Sequence, residues 1–307
     1  MGKRRGSSDY RDVDGILILD KPSGLSSNQA LQQVRKLYRA RKAGHCGSLD
    51  PLATGVLPIC LGEATKFSSY WLGANKTYRA RCRLGQTTTT GDAEGEVLAT
   101  MPVAVDEAQI RLTLERFVGE IEQIPPMYSA LKHQGQRLYQ LARAGKQVER
   151  KPRRITIYEL TLLSCTDDSL SIEVSCSKGT YIRTLAEDIG AALGCGAHLS
   201  ALRRTAVDSF VETESVSLER LQELESDGMD QLDDLLVPLT RALAQFPELE
   251  LDSASCVDIC HGKCVNADHA RAPGLYRLVS DQGRFVGLGE VNAAGDLKAK
   301  RLMNTAR

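Results

Sequence analysis

The segment Gly44-His45-Cys46-Gly47-Ser48-Leu49-Asp50-Pro51-Leu52-Ala53-Thr54-Gly55-Val56-Leu57-Pro58 sets a single acid among backbone-bending residues inside a mostly apolar run. Pro51 fixes its own φ and pushes Asp50 towards an extended conformation. Gly47 and Gly55 permit close approach by another backbone. A loop of this kind holds a carboxylate rigidly against a ligand, although an aspartate beside proline and glycine also serves as a plain turn former. The choice between the two readings depends on what the rest of the chain brings to the loop.

Upstream, Ser26 or Ser27 can cap a helix carrying Leu31, Val34 and Tyr38 on one side, and Gly44 opens the loop that follows. Downstream, Thr77 to Leu84 alternates strictly, with Tyr78, Ala80, Cys82 and Leu84 on one face and Arg79, Arg81 and Arg83 on the other, which predicts a strand. Asp106 reads as the cap of a helix carrying Ile110, Leu114 and Phe117 and ended by Gly119. Leu170, Ile172, Val174 and Cys176 alternate in a later strand. Ser177-Lys178-Gly179 then turns the chain into a helix with Ile182, Leu185, Ile189 and Leu193, placing Tyr181 and Arg183 in its first turn. The composition changes near Phe246-Pro247. Short β-prone segments follow, LYRLVS, RFVGLGEV and LKAKRLM, separated by turn signals. They predict a small all-β module that leans on the larger domain, being near the lower size limit for independent folding.

With 42% apolar and 25% charged residues over 307 positions, the chain is globular rather than disordered. The start, MGKRRGSSDYRD, has positive charge but no apolar run after it, so a cytoplasmic protein without a membrane segment is expected. Nine cysteines, an odd number scattered over the chain, predict reduced thiols rather than a disulfide framework. Cys256, Cys260, His261, Cys264 and His269 lack the paired spacing of common zinc sites, so no metal is expected. No dinucleotide fingerprint or Walker loop occurs, so no cofactor is expected. Thr87 to Thr90 is a polar loop with no assigned chemistry.

The balance of 39 basic and 39 acidic residues hides an asymmetry. Arg35, Lys36, Arg39, Arg41 and Lys42 form one basic run, and Arg143, Lys146, Arg150, Lys151, Arg153 and Arg154 form another containing only Glu149. From Glu212 to Asp234 there are nine acids and one arginine. Two basic runs flanking Asp50 and a segregated acidic face predict a nucleic-acid partner that avoids the acidic surface.

Taken in order, DGILILDKPSGLSS, GHCGSLDPLATGVLP, KTYRARCRLG, SKGTYIRTLAEDIG and LRRTAV resemble the bacterial tRNA pseudouridine synthase B family over nearly the whole chain, and the tail from about residue 250 is similar to a PUA domain. The resemblance implies an α+β fold. Residues 1–246 would form a pseudouridine synthase catalytic domain with a central mixed, largely antiparallel sheet flanked by helices, and residues 247–307 a small all-β PUA-like barrel. The segment IPPMYSALKHQGQRLYQLARAGK resembles an RNA-clamping insertion at about 124–152. The implied enzyme is an isomerase that converts uridine 55 in the tRNA T-loop to pseudouridine by base flipping. It would act as a monomer, without cofactor or guide RNA, touching the T-arm and, through its tail, the acceptor end.

Residue by residue, the resemblance gives Asp50 the catalytic role, Tyr78 the stack on the target base, and Tyr181 a place in the pocket. Arg183 pairs with the catalytic carboxylate, Leu202 is an apolar pocket residue, Lys21-Pro22 supports the pocket, and His45 inserts into the RNA loop. The chemistry agrees. Isomerisation breaks the uridine C–N bond, turns the base and joins C5 to the sugar, and a carboxylate serves as nucleophile or base. An arginine within about 4–6 Å is expected to lower the ordinary aspartate pKa of about 3.9. Flipping a base costs a few kcal/mol, and one aromatic stack returns about 1–3 kcal/mol. A guided relative and a non-catalytic RNA-binding protein are the alternatives. The clamping segment speaks against the first, and a carboxylate set among RNA-facing residues against the second.

Overall fold

The alternating segment forms β4 (Lys76–Leu84), which buries Tyr78, Ala80, Cys82 and Leu84 and exposes Arg79, Arg81 and Arg83. Buried on one face only, it lies between two antiparallel neighbours, Ser169–Cys176 and Ala197–Val207. The computed structural model, which describes residues 10–267, 270 and 272–304, builds a ten-stranded mixed sheet around this trio. With β1 (Gly15–Lys21), β2 (Ala43–His45) and β3 (Thr54–Leu61), its order runs Val216–Ser217, β1, β3, Ala197–Val207, β4, Ser169–Cys176, Arg153–Thr166, Gly119–Gln123. Among the strand pairs of this sheet in the described residues, two are parallel, β1 with Val216–Ser217 and β3 with Ala197–Val207.

Helices cover both faces of the β1–β3 half, which is why GILILDK reads as continuously apolar. Leu17, Leu19, Leu57, Ile59 and Leu61 pack with Leu31 and Val34 of the helix Ser27–Leu37. The alternate residues Ile16, Ile18, Val56 and Cys60 pack with Phe67 and Trp71 on the other side. The helix is capped by Ser26, not Ser27, in a reciprocal capping box with Gln29. Asp106 caps Glu107–Glu115 as its sequence implies, but that helix stops short of Gly119, which opens an edge strand instead. Gly44 likewise lies in β2 rather than opening a loop, and Tyr181 is the N-cap of Ile182–Ala192 rather than part of its first turn.

The tail forms a five-stranded sheet in the order Glu248–Leu251, Gly274–Ser280, Phe285–Val291, Asp296–Leu302, Val265–Asn266, around its own apolar core. It also carries a helix, Ser253–Cys260, capped by Asp252, so the tail is not all β as its alternating segments imply. It leans on the larger body through Phe285, whose ring centroid lies 5.8 Å from that of Phe67, and through Leu288, which shares an apolar cluster with Trp71. Arg277 donates to the Phe246 and Thr240 carbonyls at 2.9 and 2.8 Å.

One backbone approach decides where the sheet opens. Gly55 has φ +99°, and a Cβ there would stand 2.2 Å from the Arg204 carbonyl oxygen. Gly55→Ala is therefore expected to destabilise the fold by about 2–4 kcal/mol in urea titrations, through combined strain and clash.

Candidate active site

β3 has two neighbours on one edge. Ala197–Val207 pairs with its first residues, Thr54 and Gly55, whereas β2 pairs with Ile59, Cys60 and Leu61. The loop 46–53 joins β2 to β3 beside this split. Its backbone is pinned from below by the DKPSGLSS segment. The Ser27 hydroxyl accepts from the Leu49 N–H at 2.7 Å and donates to the Leu49 carbonyl at 2.9 Å. Gly24 N–H donates to the Pro51 carbonyl at 2.8 Å. The Lys21 ammonium, fully buried, donates to the carbonyls of Pro22, Leu25 and Pro51 at 2.8, 2.6 and 3.4 Å. Leu49 and Ala53 sink into the core on either side, so Asp50 is presented upward.

Asp50 opens into a cavity of about 710 Å³ lined by His45, Tyr78, Asp92, Tyr181, Arg183 and Leu202, among others. Six of the residues singled out in the sequence thus meet here: Asp50, Tyr78, Tyr181, Arg183, His45 and Leu202. Lys21 and Pro22 do not line the cavity, and Lys21 instead holds the loop from beneath. At the mouth, Arg137 and Arg143 from the 124–152 segment stand 6.0 and 5.7 Å from the Tyr139 ring centre.

Arg183, only 5% exposed, organises the acids. Its Nε lies 3.0 Å from Asp50 Oδ2 and 3.6 Å from Asp92 Oδ2, while Nη1 donates to the Thr90 carbonyl at 3.0 Å and Nη2 to the Tyr128 carbonyl at 2.7 Å. The Thr90 carbonyl ends the polar stretch Thr87 to Thr90, and Asp92 lies two residues beyond it. Thr90 Oγ1 and Glu94 N–H both donate to Asp92 Oδ1, at 2.5 and 3.1 Å. A signal was there to be read, since Gly91-Asp92-Ala93-Glu94-Gly95 again sets an acid beside a glycine and shortly before another. Gln123 also escaped notice. Its amide accepts from Tyr181 N–H at 2.8 Å and donates to the Tyr181 carbonyl at 3.1 Å, holding that residue from both sides.

The expected lowering of the Asp50 pKa does not occur. Its direction is upward, because desolvation by the surrounding walls outweighs the pull of Arg183, and the charge of Asp92 pushes the same way as burial. The side chain still keeps 45% of its surface open to the cavity, so this desolvation is partial. Burial likewise raises the Tyr78 and Tyr181 phenols. It lowers the His45 imidazole, assisted by the Arg204 charge, and His45 Nδ1 is buried without a hydrogen-bond partner. Burial brings Lys21 and Lys76 down to about 8 each.

All nine cysteines are free thiols. Among the described residues no three His, Cys, Asp or Glu side chains converge on a possible metal position, and His269 lies outside those residues. No helix of the described residues is long and apolar enough to cross a membrane.

Comparison with known proteins places the chain in a family. The N-terminal domain pattern of the TruB family pseudouridylate synthases matches residues 35–182, the tRNA pseudouridylate synthase B C-terminal domain matches 183–244, and the C-terminal pattern of pseudouridine synthase II TruB matches 247–303. The chain is 53% identical over 296 residues to the tRNA pseudouridine synthase B of Stutzerimonas stutzeri, covering 96% of this chain and 97% of that one. It is 52% identical over 294 residues to the tRNA pseudouridine synthase B of Nitrosococcus oceani, covering 95% and 96%. Among solved structures, a Cbf5-Nop10-Gar1 complex aligns with a TM-score of 0.69 at 29% identity, over 90% of this chain and 78% of that chain. An H/ACA RNP bound to a substrate RNA containing 2'-deoxyuridine shares the fold, with a TM-score of 0.72 at 24% identity over 95% and 86%. The chain belongs to the TruB family of pseudouridylate synthases, and it is an isomerase.

Proposed function

We propose that this isomerase converts uridine 55 in the T-loop of tRNA to pseudouridine in the cytoplasm, acting alone and without guide RNA or cofactor. The observation that carries the reading is the Asp50–Arg183 pair at 3.0 Å, set in a cavity lined by Tyr78 and Tyr181. A carboxylate held against a guanidinium inside walls is shaped for chemistry on a reactive centre rather than for phosphate binding, which it opposes. The uridine leaves its stack and enters the cavity, Tyr78 stacks on it, and His45 fills the space it vacates in the loop. Leu202 closes the apolar side, Tyr181 borders the base, and Lys21-Pro22 supports the loop from below.

The reaction is a balanced isomerisation. The bond from N1 to C1' breaks, the base turns, a bond from C5 to C1' forms, and the C5 proton leaves while N1 gains one. Asp50 acts through its ionised form, by attack on the sugar, by attack on the base or by removal of a sugar proton. Arg183 favours that ionised form against the upward push of burial. Residues 1–246 form the catalytic domain in this reading, with the clamp at 124–152. Residues 247–307 form an RNA-binding domain that reaches the acceptor end. The relatives at 52–53% identity, each covered over nearly its whole length, support a stand-alone enzyme over a guided one.

Asp50→Asn is expected to bind unmodified tRNA and to lose at least about 10³-fold in single-turnover rate, read by carbodiimide mapping at position 55. Substantial turnover by this variant would sink the mechanism. The same variant tests the sign of the pKa shift. A folded-state pKa above the unfolded value means that the fold favours the protonated acid, so the associated stability is lost as pH rises through the folded pKa. The neutral amide avoids that loss, and the variant should melt no lower than the parent at neutral pH.

Arg183→Gln removes the attraction that opposes burial, so the Asp50 pKa should rise further. The acid limb of the single-turnover pH profile is then expected to move to higher pH, and an unmoved limb would show that Asp50 ionisation does not control it.

In the tail, Lys298 and Arg301 are exposed, whereas Lys300 is paired with Glu290 at 2.9 Å. Replacing Lys298 and Arg301 by Gln in the full chain should weaken binding to whole tRNA and lower its salt slope by about one unit for each lost phosphate contact. The single-turnover rate at saturating RNA, and binding to an isolated T-arm hairpin, should stay unchanged. A lost saturated rate with normal binding would contradict this division of roles.

A further inference from the structure

Arg204 stands at the split in the sheet. It is the last residue of Ala197–Val207 to pair with β3, at Gly55, and across its other edge it faces Tyr78. It is among the largest fully buried side chains, at 1% exposure. Its Nε donates to the Val56 carbonyl at 2.7 Å, its Nη2 to the Gly47 carbonyl at 3.1 Å and its Nη1 to the Ser48 carbonyl at 3.5 Å. These partners are backbone carbonyl oxygens rather than a carboxylate. A buried cation held only by neutral dipoles is a poor way to stabilise a core, where a packed apolar side chain serves as well or better.

What the guanidinium does that an apolar side chain cannot is join two backbones. One fork reaches β3 at Val56, and the others reach the loop two and three residues before Asp50. Lys21 and Gly24 hold the loop at Pro51 on the far side of Asp50. The near side therefore depends on Ser27 at Leu49, on the Cys46 N–H to the Pro58 carbonyl at 2.9 Å, and on Arg204. A lysine at this position carries its donors on one nitrogen and lacks the planar fork whose three nitrogens each reach a different carbonyl here. The Arg204 charge also pulls the Tyr78 phenol down against burial, so Tyr78 and the guanidinium are electrostatic neighbours.

We infer that Arg204 is a positioning residue of the reaction: by clamping Gly47 and Ser48 to β3 it sets where the Asp50 carboxylate stands relative to Tyr78, and it governs bond chemistry rather than RNA affinity. The inference rests on the reading of Asp50 as the catalytic carboxylate. The experiment uses the full chain with unmodified tRNA and compares Arg204→Lys with the parent in circular dichroism, filter binding and single-turnover assays. The expected result is a folded variant with affinity within about threefold of the parent and a saturated rate lowered by about 30-fold or more, since displacement of a reacting group by about 1 Å costs on the order of 10²-fold. A saturated rate within threefold of the parent overturns the inference, as does a loss that disappears when the RNA concentration is raised. Should Arg204→Lys melt below the assay temperature, Arg204→Gln, which is uncharged but keeps a planar amide, gives the same comparison. Asp50→Asn is run alongside. Turnover by Asp50→Asn overturns the reading of Asp50, whereas a dead Asp50→Asn beside a fully active Arg204→Lys overturns the role of Arg204 alone.

Discussion

A buried guanidinium has to find partners for all its N–H groups, because each one left unmade costs more than a formed bond returns. Arg183 meets that demand with carbonyls at Thr90 and Tyr128 and carboxylates at Asp50 and Asp92. Its own position comes from the helix Ile182–Ala192, so four stretches distant in sequence are drawn to one point. Ala197–Val207 aligns two of these stretches, pairing with β3 at Thr54 and Gly55 and bonding through Leu199 to Gly91 and Ala93, while Arg183 adds Tyr128 of the 124–152 segment and ties all of them to one point. Two carboxylates about one cation also leave each acid incompletely neutralised, which is consistent with the upward direction at Asp50.

Behind this cluster lies a second set of cations with a different task. Lys21, Lys76 and Arg204 are all buried and all donate to backbone carbonyls: Lys21 to Pro22, Leu25 and Pro51, Lys76 to Trp71, Leu72 and Ala74, Arg204 to Gly47, Ser48 and Val56, with the Tyr78 phenol a further partner of Arg204. Charge–dipole bonds of this kind fix backbone where regular sheet pairing has stopped. They carry a desolvation cost, visible in the two lysines held near 8. The pocket floor is thus a layer of cations gripping carbonyls, and the acids above it are held by Arg183.

Much of this was legible in the sequence, and the boundary of legibility is physical. Period-two alternation marked β4 and the side of it that Tyr78 occupies, because a half-buried strand imprints its two environments directly. Caps at Ser26 and Asp106 were readable because capping is a local interaction. Asp50 stood out through the backbone chemistry of its own loop. Arg204 did not, since its role exists only through contacts with Gly47, Ser48 and Val56, and nothing in its neighbours along the chain encodes those partners, whereas Asp92 carried only the weaker signal of an acid set between glycines. The direction of the Asp50 pKa was misjudged for the same reason. A nearby arginine is visible in a motif, but the depth of the walls around the acid is a property of the whole fold. The tail helix Ser253–Cys260 escaped because it has little amphipathic contrast to betray it, with Ile259 its buried apolar residue.

The tail illustrates how packing changes the meaning of a sequence boundary. Its composition shift near Phe246-Pro247 marks where its own sheet begins, yet Leu288 lies in the same apolar cluster as Trp71 and Phe67, and Phe285 packs against Phe67. Lys66 donates to the Leu302 carbonyl at 3.1 Å, and Asn304 N–H to Glu63 at 2.7 Å. Cutting the chain near Gln245 would therefore uncover aromatic surface on the larger body as well as remove any RNA contact, and a loss of function in such a fragment would confound the two. A module tethered by a linker adds only effective concentration to a second binding event, whereas one packed through aromatic rings also fixes orientation. The same segment that receives the tail, Gly62–Leu72, ends in the carbonyls gripped by Lys76, one turn of chain from Tyr78. Tail and cavity thus share the helical turns Gly62–Leu72, whose Phe67 and Trp71 cluster with Phe285 and Leu288 of the tail and whose Leu72 lines the cavity, so the span between them is set by packing rather than by the reach of a flexible chain.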